Sequence, residues 1–158
     1  MGTLAAIRPD DWNVALLVHV TGALLLVGGI TTAVAFLFAG WKGKAPADAL
    51  ALSRLAFKSL LIVALPAWIL MWIGAWWIYD KEFPEDSDDP AWVGIGFIMA
   101  EPAGIILLIT IILAGISARR LRKGGGTMGT LGKVTTVLAT LLLIGYIIAV
   151  WAMGAKPS

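Results

Sequence analysis

Four long apolar stretches, separated by short polar segments, organise the chain: residues 12–39, 60–79, 92–117 and 134–153. Each holds about 20 residues or more, the helix length needed to cross a hydrocarbon core. None alternates apolar and polar positions as a barrel strand does, so helical hydrogen bonding is what satisfies their backbones in lipid. The short connections make consecutive helices antiparallel neighbours. The pattern predicts an all-α fold, a four-helix transmembrane bundle, forming one integral membrane domain over residues 1–158.

Local signals refine the edges. Ala45-Pro46 opens an amphipathic piece in which Leu50, Leu55 and Phe57 interleave with Arg54 and Lys58. It is expected to run on into the second span, with both cations snorkelling to headgroups. Pro66 lies inside the second span and is expected to kink it. Asp89-Pro90 reads as a cap and first-turn proline for the third span. Gly124-Gly125-Gly126 ends that helix after a basic cluster.

Composition names the solvent. Hydrophobic residues make up 59% of the chain and charged residues 14%, with a mean hydropathy of +0.90. A soluble domain is about half apolar and about a quarter charged. The same inventory narrows the chemistry. There is no Cys, which removes disulfides, thiolate metal sites and cysteine nucleophiles. His19 is the only His, so one chain cannot supply two imidazoles to a metal or haem. No Walker loop or dinucleotide fingerprint occurs.

The few charges set a direction. Lys42, Lys44, Arg54 and Lys58 occupy the first loop, and Arg119, Arg120, Arg122, Lys123 and Lys133 the third. The middle loop sets Lys81 against Asp80, Glu82, Glu85, Asp86, Asp88 and Asp89. The positive-inside rule then places loops 1 and 3 in the cytoplasm and both termini outside. Trp12, Trp76, Trp77, Tyr79, Trp92 and Trp151 fit an outer aromatic belt, with Trp41 at the inner boundary. Arg8 is offset by Asp10 and Asp11, whereas a cleaved signal peptide leads with positive charge. The net charge of +2 is thus a cancellation across a bilayer and implies no nucleic-acid partner. Arg119, Arg120, Arg122 and Lys123 are the candidate lipid-headgroup contacts.

Two titratable residues remain inside spans, His19 and Glu101. They lie about 10 and 13 Å below Trp12 and Trp92 at the helical rise, so their depths are similar. Ionisable groups at membrane depth face the bundle or a wet cavity and are functional candidates. The alternative is a structural role, an interhelical hydrogen bond or a solvated rim position just before Pro102. Ala15, Gly22 and Gly29 form one small-residue row, and Gly96, Ala100 and Gly104 another. These rows let helices approach closely. They suggest either a tight contact between the first and third spans, which would bury His19 and Glu101 together, or a homodimer face. Met71, Met99 and Met153 lie in the outer halves of their spans, and thioether with imidazole suits Cu(I); methionine is more often a gap filler. The acidic loop lacks the glycine and twelfth-position ligand of a calcium loop.

Val18-His19-Val20-Thr21-Gly22 followed by Gly28-Gly29, and Gly74-Ala75-Trp76-Trp77-Ile78-Tyr79 followed by a short loop and Trp92, carry a family resemblance. They are similar to a bacterial family of four-helix predicted integral membrane proteins, distantly copper-resistance-D-like. The resemblance implies a multi-pass protein of the bacterial inner or plasma membrane. It associates His19 alone with copper or haem b, and a second ligand would have to come from a second copy. Three functional expectations follow. The first is a non-enzymatic membrane subunit or accessory protein, without a cofactor, packed in the bilayer with itself or with other subunits. The second is a copper- or haem-binding protein using His19. The third is a small proton-coupled transporter using His19 and Glu101.

Overall fold

The computed structural model describes residues 13–43, 45–82, 91–124 and 126–155. The acidic stretch from Glu85 to Asp89, the Asp89-Pro90 cap, Trp12, Lys44 and Gly125 lie outside these residues. The described chain is helical apart from short connections, with no strand among its residues. Its elements are α1 (Asn13–Lys42), α2 (Pro46–Lys58), a π-helical turn (Ser59–Ala64), α3 (Leu65–Glu82), α4 (Ala91–Ala100), α5 (Pro102–Gly124) and α6 (Thr130–Ala155). Four stretches are long and apolar enough to cross a membrane: Asn13–Lys42, Pro46–Lys81, Trp92–Gly124 and Thr130–Ala155.

The second span begins at Pro46 because α2, the π turn and α3 are continuous. Pro46 supplies the preset first-turn φ, and its missing N–H costs nothing there. The distortion expected from Pro66 takes the form of the π turn just before it. Leu65 N–H reaches back five residues to the Leu60 carbonyl. This wider turn makes room for a proline ring that would otherwise press on the preceding turn. In the third span, Pro102 interrupts the helix without ending it. Glu101 N–H donates to Phe97 O at 3.0 Å, and Ile105 N–H donates to Glu101 O at 3.2 Å. The Trp68 indole N–H, from α3, donates to Ala100 O at 2.7 Å beside this joint. Gly104 leaves the space in which that indole lies, since a Cβ there would sit 2.3 Å from Trp68 Cζ2. After α5, Gly126 takes φ +97°, a left-handed turn that glycine adopts without strain.

The exterior is apolar on every span, with Leu24 70% and Ile62 65% exposed. The interior instead collects small residues: Ala33, Ala56, Ala64, Ala67, Ala103, Ala114 and Ala139, with Leu26, Ile30, Leu60 and Leu107. This distribution suits lipid as solvent. Hydrocarbon tails are as apolar as leucine, so close backbone packing takes over from water exclusion in holding helices together. Most buried threonine hydroxyls are satisfied locally, whereas Ser53 Oγ and the Tyr146 hydroxyl are buried without a partner. Thr110, Thr135, Thr136 and Thr140 each donate to the carbonyl four residues earlier. Ser59 Oγ instead crosses to Gly29 O at 2.8 Å.

The spans close into a ring in chain order. The first packs on the second, the second on the third through α2 and α5, the third on the fourth, and the fourth on the first. The first and third spans are therefore diagonal. The tight contact expected between them is replaced by one between α1 and the second span. The Ala15, Gly22 and Gly29 row is buried as expected, but Gly22 meets Met71 and Ala67, and Gly29 meets Val63 and Ala64. On the third span, Gly96 receives the Met153 methyl, while Gly145 of α6 receives the Met99 methyl. These reciprocal notches lock α4 to α6.

The two ends of the bundle differ. Loops 1 and 3 meet at one end, where Lys133 Nζ lies 5.7 Å from the Trp41 ring centroid. Met128, 4% exposed, plugs this end and packs against Gly40 and Gly132. Arg119, Arg120, Arg122 and Lys123 are all exposed around it. Arg122 and Lys123 also occupy the last turn of α5, where cations complement the helix dipole. The opposite end carries a pocket.

Candidate functional site

The end of the bundle opposite loops 1 and 3 holds a pocket of about 520 Å³ lined by α1, α3, α4 and α6. Its volume lies within the range of about 300–1,000 Å³ typical of small-molecule sites. Leu26, Met71, Val93, Ala100 and Tyr146 are buried in its wall, whereas Leu24, Ile147 and Val150 are exposed at its margin. No charged side chain is among the described residues that line it. Trp72, Trp76, Tyr79 and Phe97 give it an aromatic side. Phe97 packs edge-on against Trp76 and Tyr79, with ring centroids 5.4 and 5.1 Å apart. Such geometry follows from ring quadrupoles and holds the rings in place.

His19 is half-buried and reaches this pocket from α1. Its position follows from the closest backbone approach in the molecule. A Cβ at Gly74 would lie 2.5 Å from His19 N, and one at Gly22 would lie 2.4 Å from Met71 N. With the helices this close, His19 Nδ1 lies 3.0 Å from Met71 O. A carbonyl can only accept, so Nδ1 carries the proton and donates it. In the neutral ring, Nε2 is then left as an acceptor of fixed orientation.

Tyr146 of α6 is the second polar residue of the pocket, and the sequence reading missed it. It is 2% exposed, and its hydroxyl has no hydrogen-bond partner. The available signal was a lone phenol in an otherwise aliphatic run. A phenol in the middle of a span carries a hydroxyl that lipid cannot satisfy.

Glu101 is exposed at the α4–α5 joint and does not line the pocket, although its neighbour Ala100 does. No described contact joins it to His19. Met71, Met99 and Met153 do converge on the pocket with His19. Their roles there are in packing. Met71 supplies its backbone carbonyl, while the methyl ends of Met99 and Met153 lie against Gly145 and Gly96. Copper or haem iron on Nε2 would find its second ring nitrogen already anchored, as ligating histidines require. Among the described residues that line the pocket, no second imidazole and no carboxylate stands beside it. Among the described residues, no group of three His, Cys, Asp or Glu could hold a metal ion.

Compared with models of known protein families, with curated proteins and with solved structures, the chain matches none.

Proposed function

We propose that this protein binds a small lipophilic molecule within the membrane and performs no chemistry on it. The observation that carries this reading is the apolar pocket at the end opposite loops 1 and 3, with His19 oriented by Met71 at its wall. Binding sites commonly combine an apolar lining with a few fixed polar groups that orient the ligand. The exposed apolar margin favours entry from the hydrocarbon. The described lining offers an imidazole and phenols and includes no carboxylate or ammonium, which favours an accessory or carrier role over an enzyme. The proton-coupled alternative would need Glu101 to act from outside the pocket.

The test is a thermal-unfolding titration in mild detergent with decylbenzene, an uncharged ring on an alkyl tail. Saturating ligand at about 100 times its dissociation constant adds about 2.7 kcal/mol to stability. A saturable rise in unfolding temperature is expected. No rise across the soluble range would exclude the reading.

The orientation proposed is both termini outside and loops 1 and 3 in the cytoplasm of a bacterial inner or plasma membrane. Clustered cations at one end support it. The absence of Cys makes the check simple. In intact cells, Ala155→Cys should react with a membrane-impermeant maleimide. Lys123→Cys should react only after permeabilisation, and the reverse pattern would invert the topology.

A metal reading is kept in second place because His19 Nδ1–H is anchored as in metal-ligating histidines. It calls for two copies, each contributing one His19. Copper and absorbance analysis of the purified protein, with and without His19→Ala, tests it.

A further inference from the structure

The pocket's polar groups restrict the ligand further than its shape does. Tyr146 brings a hydroxyl that is buried and unpartnered. Leaving such a donor unmade costs about 1–3 kcal/mol, so it calls for an acceptor. His19 presents the opposite need. Because Nδ1–H is committed to Met71 O, its free Nε2 calls for a donor. The described residues that line the pocket carry no charge, so the ligand is neutral. Along one side, Trp72, Trp76, Tyr79 and Phe97 present ring faces and edges, and aromatic partners favour a flat ring over a saturated chain.

From these observations we infer that the pocket takes a lipid-soluble hydroxylated aromatic ring of the hydroquinone type. One ring hydroxyl donates to His19 Nε2, and a ring oxygen accepts from the Tyr146 hydroxyl, which is enclosed in the unliganded structure and is uncovered by side-chain movement as the ring enters. An alkyl or isoprenoid tail leaves through the apolar margin near Leu24, Ile147 and Val150 into the bilayer. A hydroquinone satisfies both groups because each hydroxyl can donate and accept. A quinone offers only acceptors, serves Tyr146 alone and binds more weakly. This inference rests on the proposed lipophilic pocket and names its ligand class.

Three probes with the same decyl tail separate the two ideas: decylhydroquinone kept reduced, its dimethyl ether, and decylbenzene. The ether retains acceptors without donors, and decylbenzene has neither. Each satisfied hydrogen bond is worth up to about tenfold in affinity. The expected order is hydroquinone, then ether, then benzene, with steps of up to about tenfold. Tyr146→Phe should weaken the hydroquinone and the ether but leave decylbenzene unchanged. His19→Phe should bring the hydroquinone down to the level of the ether.

Tyr146→Phe removes only an unpaired hydroxyl, so it keeps the test sound if His19→Phe folds poorly. Unliganded Tyr146→Phe should unfold at the same temperature as wild type or higher. Equal binding of all three probes to wild type would overturn the hydroquinone assignment and leave the pocket reading standing. Binding of none would overturn both. Stoichiometric copper or haem lost in His19→Ala would also overturn the assignment, by giving Nε2 another partner.

Discussion

Alanine at Gly22 or Gly74 is expected to unseat α1 from α3 and lower stability by about 1–3 kcal/mol, the usual cost of overpacking. The added methyl at Gly22 would meet Met71 N at 2.4 Å, and at Gly74 it would meet His19 N at 2.5 Å. Backbone atoms within two packed helices have no rotamer by which to yield, so the whole contact must open. That displacement also lengthens the His19–Met71 hydrogen bond, which depends on the same approach. Ligand binding should therefore fall along with stability. Gly28→Ala is the control. Its Cβ would meet nothing within 4 Å, and alanine favours a helix over glycine by up to about 1 kcal/mol. Unfolding of the three variants in mixed detergent micelles should place Gly28→Ala at or above wild type and the other two clearly below.

Ala23→Phe is expected to have the largest effect on binding. Ala23 lines the pocket from α1 and is partly buried against the core. A phenyl group there occupies the space for the ligand's ring. Affinity for decylhydroquinone should drop at least about a hundredfold, roughly twice the 1.4 kcal/mol of a tenfold change. Stability without ligand should hold or rise, since a filled cavity gains van der Waals contacts. A variant that keeps both its stability and its affinity would place the ligand elsewhere.

Much of the fold was legible because lipid imposes a simple rule on length and polarity. The four spans and the continuation from Pro46 into the second span follow from apolar run length and from the spacing of Arg54 and Lys58. The small-residue rows were legible as contact surfaces, but their partners were not. Gly22 meets the second span because the helices close into a ring in chain order, and no feature of the row itself encodes that order. Pro66 announced a distortion, and the structure gives it the form of a π turn over Ser59–Ala64, which no residue type there encodes by itself.

The site was only half legible. His19 stood out as the single imidazole in a span, and the structure gives it a partner and a pocket. Glu101 stood out for the same reason, but exposed beside Pro102 it lies off the pocket. Met99 and Met153 resembled ligands by depth, whereas their methyls fill glycine notches that only the α4–α6 contact creates. Tyr146 escaped attention because a neutral phenol carries no charge to flag it. Its importance comes from burial without a partner, which is a property of the assembled bundle.

A lipophilic ring is proposed to occupy the pocket at the end opposite loops 1 and 3. Photolabelling in proteoliposomes with a diazirine-bearing decylphenol, mapped by mass spectrometry, tests it most directly. The account predicts adducts concentrated on lining residues such as Leu16, Val27, Met99 and Val150. They should be suppressed by unlabelled decylhydroquinone and lost in Ala23→Phe. Adducts spread over Ile62, Ile112 and Leu141 in proportion to their exposure, with no competition, would contradict it.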